Sequence, residues 1–166
     1  MVQFICKRKC LTILQRSDIL MKRIFVSKKA QKHSSKGDFE RNRVTGKLVM
    51  KGGGHGQENI DFLNKKGIYS NITVEYNNGV RLGNVSNHKR AKNRERDGQC
   101  WFPEEWTKSD IKKAGQYVMR LKKNKDRKDQ MPHWGTVKGV KVGVYTQKGF
   151  INTIFPCYIQ KGGRRR

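Results

Sequence analysis

Asn77-Asn78-Gly79 separates two alternating runs, Ile72, Val74 and Tyr76 before it and Val80 and Leu82 after it. Alternation of apolar and polar residues is the pattern of a half-buried strand, and Asn-Gly between two such runs is the strongest short-range hairpin signal. The middle of the chain is thereby committed to antiparallel pairing. The end repeats the pattern. Val140, Val142 and Val144 alternate with Lys141 and Gly143, Gln147-Lys148-Gly149 turns the chain, and Phe150–Pro156 returns it. Period 2 assigns Ile151, Thr153 and Phe155 to one face and Phe150, Asn152 and Ile154 to the other.

A helix is expected between the hairpins. Thr107 is a good N-cap with Asp110 three residues later, a short version of a capping box. Trp106 before the cap and Ile111 at the fourth helical position suit a hydrophobic staple. Ile111, Ala114, Val118 and Leu121 form one face. The tryptophans of Gly98-Gln-Cys-Trp-Phe-Pro-Glu-Glu-Trp106 therefore read as core and staple in preference to base-stacking platforms. Before the first hairpin, apolar residues from Phe4 to Met21 suit short helices and, equally, a peripheral or partly disordered segment, since Lys and Arg interrupt them often, and polar, basic Ser27–Thr45 reads as a linker. The expected architecture is α+β: helices first, a hairpin, a helix and a closing hairpin in one central antiparallel sheet. Residues 1–44 read as a basic extension or linker, 45–158 as the domain, and 159–166 as a basic disordered tail.

Among 166 residues, 38 are Lys or Arg and 13 Asp or Glu, a formal net charge of +25. The excess is not a tail effect, since residues 1–50 hold 13 basic and 3 acidic side chains and residues 51–166 hold 25 and 10. Such a field favours a polyanion, with nucleic acid ahead of an anionic membrane surface. Cys6, Cys10, Cys100 and Cys157 make neither a zinc set nor a disulfide framework. No apolar run is long enough to span a bilayer, and no secretory apolar core opens the chain.

Chemistry concentrates in Lys51-Gly-Gly-Gly-His-Gly-Gln-Glu-Asn-Ile-Asp-Phe-Leu63. Glycines present His55 where a short helix begins, with Ile60, Phe62 and Leu63 on its apolar side and Gly67 as its stop. Unpaired amides at such a helix start suit a phosphate, and glycine allows close approach. An imidazole there can handle the proton of a neighbouring hydroxyl. His88 and Lys89 follow the second strand of the first hairpin, where a rigid scaffold presents a loop. His33 in the linker and His133 before the final hairpin are expected outside the chemistry.

Gly53-Gly-His55, Asn78-Gly-Val-Arg-Leu-Gly-Asn-Val-Ser-Asn-His-Lys89, Gly98-Gln-Cys-Trp-Phe-Pro103, Trp106-Thr107 and Thr153-Ile-Phe-Pro156 occur in one order. Together, over about residues 45–158, they resemble the bacterial EndoU-type nuclease domain at the C-termini of polymorphic and contact-dependent toxins. The resemblance implies a bacterial toxin RNase fold and cleavage of RNA, for example tRNA, without metal or cofactor. It implies His55, His88, Lys89 and Thr153 as catalytic residues, with Lys138 or Lys141 as other lysines able to reach the site. Gly54, Asn87, Arg90, Lys141 and Phe155 complete the expected substrate-binding set. Phe155 stands where an aromatic hydroxyl is expected. The implied partners are RNA and an acidic cognate immunity protein. The implied state is a monomer without membrane insertion, secreted or delivered as part of a larger toxin.

The chemistry is coherent. RNA is cut without metal when its 2′-hydroxyl attacks the adjacent phosphorus while one imidazole takes that proton and another protonates the leaving 5′-oxygen. The expected base is His55 and the expected acid His88. Two other classes of function fit the charge: a non-catalytic RNA-binding or ribosome-associated protein, and a DNase. The first leaves the histidine pattern unexplained, and the second normally uses a metal cluster that the sequence does not display.

Overall fold

The computed structural model describes residues 24–89, 98–125, 127–128 and 130–164. The helices expected between Phe4 and Met21, the Cys6 and Cys10 pair, and Arg90 lie outside these residues. Among the described residues, three α-helices and eight strands succeed one another: α1 (Lys28–Ser35), β1 (Asp38–Arg41), β2 (Leu48–Gly52), α2 (Gln57–Lys65), β3 (Ser70–Glu75), β4 (Arg81–Val85), β5 (Gln99–Trp101), α3 (Lys108–Arg120), β6 (His133–Val137), β7 (Val140–Gln147) and β8 (Phe150–Pro156), with a short 3-10 turn at Lys122–Asn124 after α3. All described strand pairs within sheets are antiparallel. They form three sheets, β1-β2, β3-β4-β5 and β6-β7-β8, so the class is α+β and the two expected hairpins belong to different sheets.

Local signals place most elements. Gly79, at φ +80°, closes the β3–β4 turn with its amide on the Tyr76 carbonyl. Gly67, at φ +64°, ends α2. On α3, the Thr107 hydroxyl accepts from the Asp110 amide, and the Asp110 carboxylate accepts from the Thr107 amide and hydroxyl. These bonds hold the Asp110 carboxyl below its ordinary pKa. Ile111, Ala114 and Val118 are buried as their spacing requires, and so are Trp101 and Trp106.

Three expectations are corrected. Ser27–Thr45 is not a linker. The Ser27 hydroxyl caps α1 by accepting from the Ala30 amide, and α1 packs on α3 and β8. β1 then pairs with β2, so the chain is folded across the boundary placed at residue 44. The tail is also engaged up to Arg164, which bridges Tyr76, while Gln160 is buried and accepts from the Lys141 amide. Finally, period 2 fails at two bulges. Pairing runs from Ile72↔Gly83 to Val74↔Leu82 and from Tyr145↔Thr153 to Thr146↔Ile151, skipping Thr73 and Asn152. An extra residue flips the faces of the strand beyond it. Ile72 is thus exposed while Val74 is buried, and Ile151 joins Ile154 in the core, opposite Thr153 and Phe155.

The larger core cluster packs α3 and α1 on the β6–β8 sheet and includes Val74, Tyr76, Val80 and Leu82 of the first hairpin. A smaller one joins Met50, Leu63, Ile68, Val85 and Trp101. α1 spans the seam between them. Its fully buried Ser34 hydroxyl accepts from the Ile154 amide of β8 at 2.9 Å, across 120 positions of sequence. Ser34→Ala leaves that buried amide unsatisfied, and we expect it to lower stability by about 1–3 kcal/mol. Urea unfolding measures the loss. A midpoint unchanged from the parent protein would show that α1 does not brace β8.

Candidate active site

Three of the four histidines, His33, His55 and His88, line one cleft of about 520 Å³ at this seam. Thr153, Phe155 and Tyr145 face it from the β6–β8 sheet, and Lys51 stands at its rim. Among the described residues, no group of three His, Cys, Asp or Glu side chains is placed to hold a metal ion.

The glycine stretch does something other than cradle an anion. The amides of Gly54, His55 and Gly56 donate to the carbonyls of His33, Ser34 and Ser35 at 2.8, 2.7 and 2.9 Å. Those carbonyls lie at the C-terminal end of α1, where helical partners run out. The approach requires glycine: a Cβ on Gly53 would come within 2.0 Å of the His33 carbonyl oxygen, and one on Gly54 within 2.5 Å of Asn59. Both residues also have positive φ. Gly54, expected in substrate binding, is buried with its amide already committed to the His33 carbonyl, and it does not line the cleft. The same contacts carry His33, expected to lie in a linker, to the side of His55.

Each of these two imidazoles is oriented through Nδ1. In His55, Nδ1 donates to the Cys100 carbonyl at 2.8 Å, while the His55 carbonyl accepts from the Phe102 amide at 2.7 Å. β5 thus holds both the backbone and the ring. In His33, Nδ1 lies 2.8 Å from the Asp38 carboxylate. A ring that donates from Nδ1 turns Nε2 to the opposite side, where the neutral form carries its lone pair.

Gln99 completes the support. Its buried amide donates to the carbonyls of Gly53 and Gly54 at 2.8 and 2.7 Å. Beneath it, the Trp101 indole donates to Asn59, and Asn59 donates to the Lys36 carbonyl. The Gly98–Pro103 stretch is thus the clamp that fixes His55.

The remaining expected residues separate. Residues 87–89 run beside β2, with the Met50 amide on the Asn87 carbonyl and the Lys89 amide on the Met50 carbonyl. This places His88 between the histidine cleft and a second cleft of about 700 Å³ lined by Glu40, Arg41, Asn87 and Lys89. Lys89 points into the second cleft, 3.1 Å from Glu40, and does not line the first. Glu40 also pairs with Lys51 at 3.1 Å, and bonds from the two ammonium groups hold its carboxyl below the usual pKa. Lys141 extends over the Trp134 ring at 5.1 Å, and Lys138 lies by Trp106 and Asp110 in a different cavity. Neither lines the histidine cleft. His133 is buried in β6.

His33 was discoverable from the sequence. Ser27 is an N-cap and Gly37 a helix stop, a start and end signature around the helix that carries it. Gln99→Leu tests the clamp, since it takes the donor from the buried Gly54 carbonyl and the half-buried Gly53 carbonyl. We expect a loss of about 1–3 kcal/mol in stability, with hydrogen exchange accelerated first at the amides of residues 54–56. Exchange there no faster than in the parent protein would remove Gln99 from the support of His55.

The family model described as Bacterial EndoU nuclease matches residues 27–158, from the cap of α1 to just beyond β8. No curated protein and no solved structure matches the chain. The matched span takes in every described wall of the histidine cleft, and the chain belongs to the bacterial EndoU nuclease family, as an endoribonuclease of the toxin class.

Proposed function

We propose that the protein cleaves RNA through its own 2′-hydroxyl, leaving 2′,3′-cyclic phosphate and 5′-hydroxyl ends, with no metal in the reaction. The observation that carries this reading is the pair His33 and His55, held at one cleft and each oriented through Nδ1. With its Nδ1 proton on the Cys100 carbonyl, neutral His55 has an accepting Nε2 and suits the base. The Asp38 carboxylate compensates positive charge on His33 as a proton is carried, so His33 suits the acid, in the manner of a carboxylate-oriented histidine. His88 lines the same cleft and is the second candidate for the acid. Lys51 at the rim, in preference to Lys89, supplies positive charge near the phosphate.

The surrounding field agrees with the substrate. A net charge of +25 attracts a polyanion and equally favours an acidic inhibitor that covers the cleft. We assign such an immunity protein as the partner and a larger delivered toxin as the parent of the domain. No helix among the described residues is long and apolar enough to cross a membrane.

The test is incubation of the purified protein with total RNA in chelator, followed by chemical identification of the fragment ends. Cyclic phosphate and 5′-hydroxyl ends are expected, with resistance of RNA carrying 2′-O-methyl at the cut site. His55→Ala and His33→Ala should each lower cleavage at least about 10²-fold. RNA affinity should change little, because Lys and Arg elsewhere dominate it. His88→Ala should cost less than His33→Ala. The reverse order would return the acid to His88, and normal cleavage of the blocked RNA would end the mechanism.

A further inference from the structure

RNA is a polymer, and a strand cut in the histidine cleft must leave it over the neighbouring surface. His88 borders that cleft and also the second one, of about 700 Å³, where Glu40, Arg41, Arg43 and Lys89 line the walls. Both walls are built on β2. On one side the Met50 amide donates to the Asn87 carbonyl at 2.7 Å, and the Lys89 amide donates to the Met50 carbonyl at 2.8 Å. On the other, β1 pairs with β2 as far as Arg41↔Leu48. The turn beyond is braced from within. Asn42 Oδ1 accepts from the Val44 and Thr45 amides at 2.9 Å each, and the Asn42 carbonyl accepts from the Gly46 amide at 2.9 Å. The Arg41 guanidinium donates to the Gly46 carbonyl at 3.1 Å. Two arginines are thus carried on a preformed wall.

Charge in this cleft is one-sided. Among the described residues, Arg41, Arg43 and Lys89 line it against one carboxylate, Glu40. That carboxylate is shared between the clefts: Oε2 meets Lys51, at the rim of the histidine cleft, and Oε1 meets Lys89, each at 3.1 Å. Two oxygens bridging two ammonium groups is an arrangement that a phosphodiester can take over, and exposed ion pairs are weak enough to exchange partners. Guanidinium groups match the paired oxygens of a phosphate. Such contacts hold a strand in place without reading its sequence.

We propose that the second cleft is an RNA subsite, in which Arg41 and Arg43 take backbone phosphates flanking the cleaved bond, on a strand that passes His88 and draws Lys51 and Lys89 away from Glu40. The assignment rests on RNA being the substrate and on the histidine cleft being where it is cut. Arg41 and Arg43 bind the strand and take no part in proton transfer. The subsite responds to the length of the RNA and not to its bases.

The experiment measures binding of a fluorescent, fully 2′-O-methylated single-stranded dinucleotide and decanucleotide to the full chain. With Arg41→Gln and Arg43→Gln combined, the decanucleotide should bind about tenfold more weakly at about 0.15 M salt. The slope of log affinity against log salt should become shallower by about 1.4, the value for two phosphate contacts on a single strand. The dinucleotide is too short to reach both clefts, and its affinity should fall at most about twofold. Arg41→Lys with Arg43→Lys keeps the charge and should restore decanucleotide binding to within about threefold of the parent. Lys113→Gln with Arg120→Gln removes two exposed cations of α3 outside both clefts and is the control. If the paired Gln variant fails to fold, Arg43→Gln alone replaces it, with half the change in slope. A decanucleotide loss no larger than the control's, an equal loss on the dinucleotide, or an unchanged slope overturns the subsite. Poly-glutamate binding is measured in parallel: its loss with decanucleotide binding kept gives the cleft to an acidic protein and overturns the subsite as well. These RNAs have no 2′-hydroxyl, so the comparison stands even if the cleavage route proves wrong, and cleavage of the blocked RNA exposes that failure separately.

Discussion

Three hydrogen bonds, from the amides of Gly54, His55 and Gly56 to the last carbonyls of α1, hold the arrangement together. They answer two needs with one contact. A helix end must find donors for its final carbonyls, and a glycine-rich segment must find acceptors for its amides. Joining them seats His33 beside His55 through main-chain contacts alone. Ser34, inside the same turn, reaches across to β8, and Asn59 ties the beginning of α2 back to the Lys36 carbonyl. Most of these polar contacts are to backbone, so main-chain geometry sets the two histidines, and each ring is then oriented through its Nδ1.

The features legible in the sequence were those that short stretches of chain decide alone. The Asn77–Gly79 turn, the Thr107–Asp110 cap and the Gly67 stop each depend on a few consecutive residues, and each formed as expected. α1 carries no hydrophobic period, because its buried face consists of the small residues Ala30, Ser34 and Ser35. The bulges at Thr73 and Asn152 depend on pairing partners that sequence alternation does not reveal. The glycines before His55 suggested an anion cradle, whereas their actual neighbour is a helix end distant enough in sequence to leave no local trace. Trp101 and Trp106 lie in the core, as their setting between a β run and a helix cap implied.

Electrostatics divides the molecule into a general and a local part. The general part is the excess of Lys and Arg over the whole chain, which sets encounter with a polyanion. The local part is sparse. Beside the histidine cleft, Glu40 lies between Lys51 and Lys89 and draws both ammonium groups toward one carboxylate. His88 borders both clefts, whereas the adjacent Lys89 lines only the second, since neighbouring side chains on an extended backbone point in opposite directions. Proximity along the chain is a poor guide to proximity in the site.

The cleft takes one wall from residue 33 and another from residues 153–158. No fragment cut between those limits contains it, and neither half of the chain holds a reduced version of it. During synthesis from the N-terminus, the histidines emerge long before the strand that faces them. The activity is therefore not graded with chain length: it is absent from any nascent or truncated form that ends inside those limits and arises only when both ends of the domain have met.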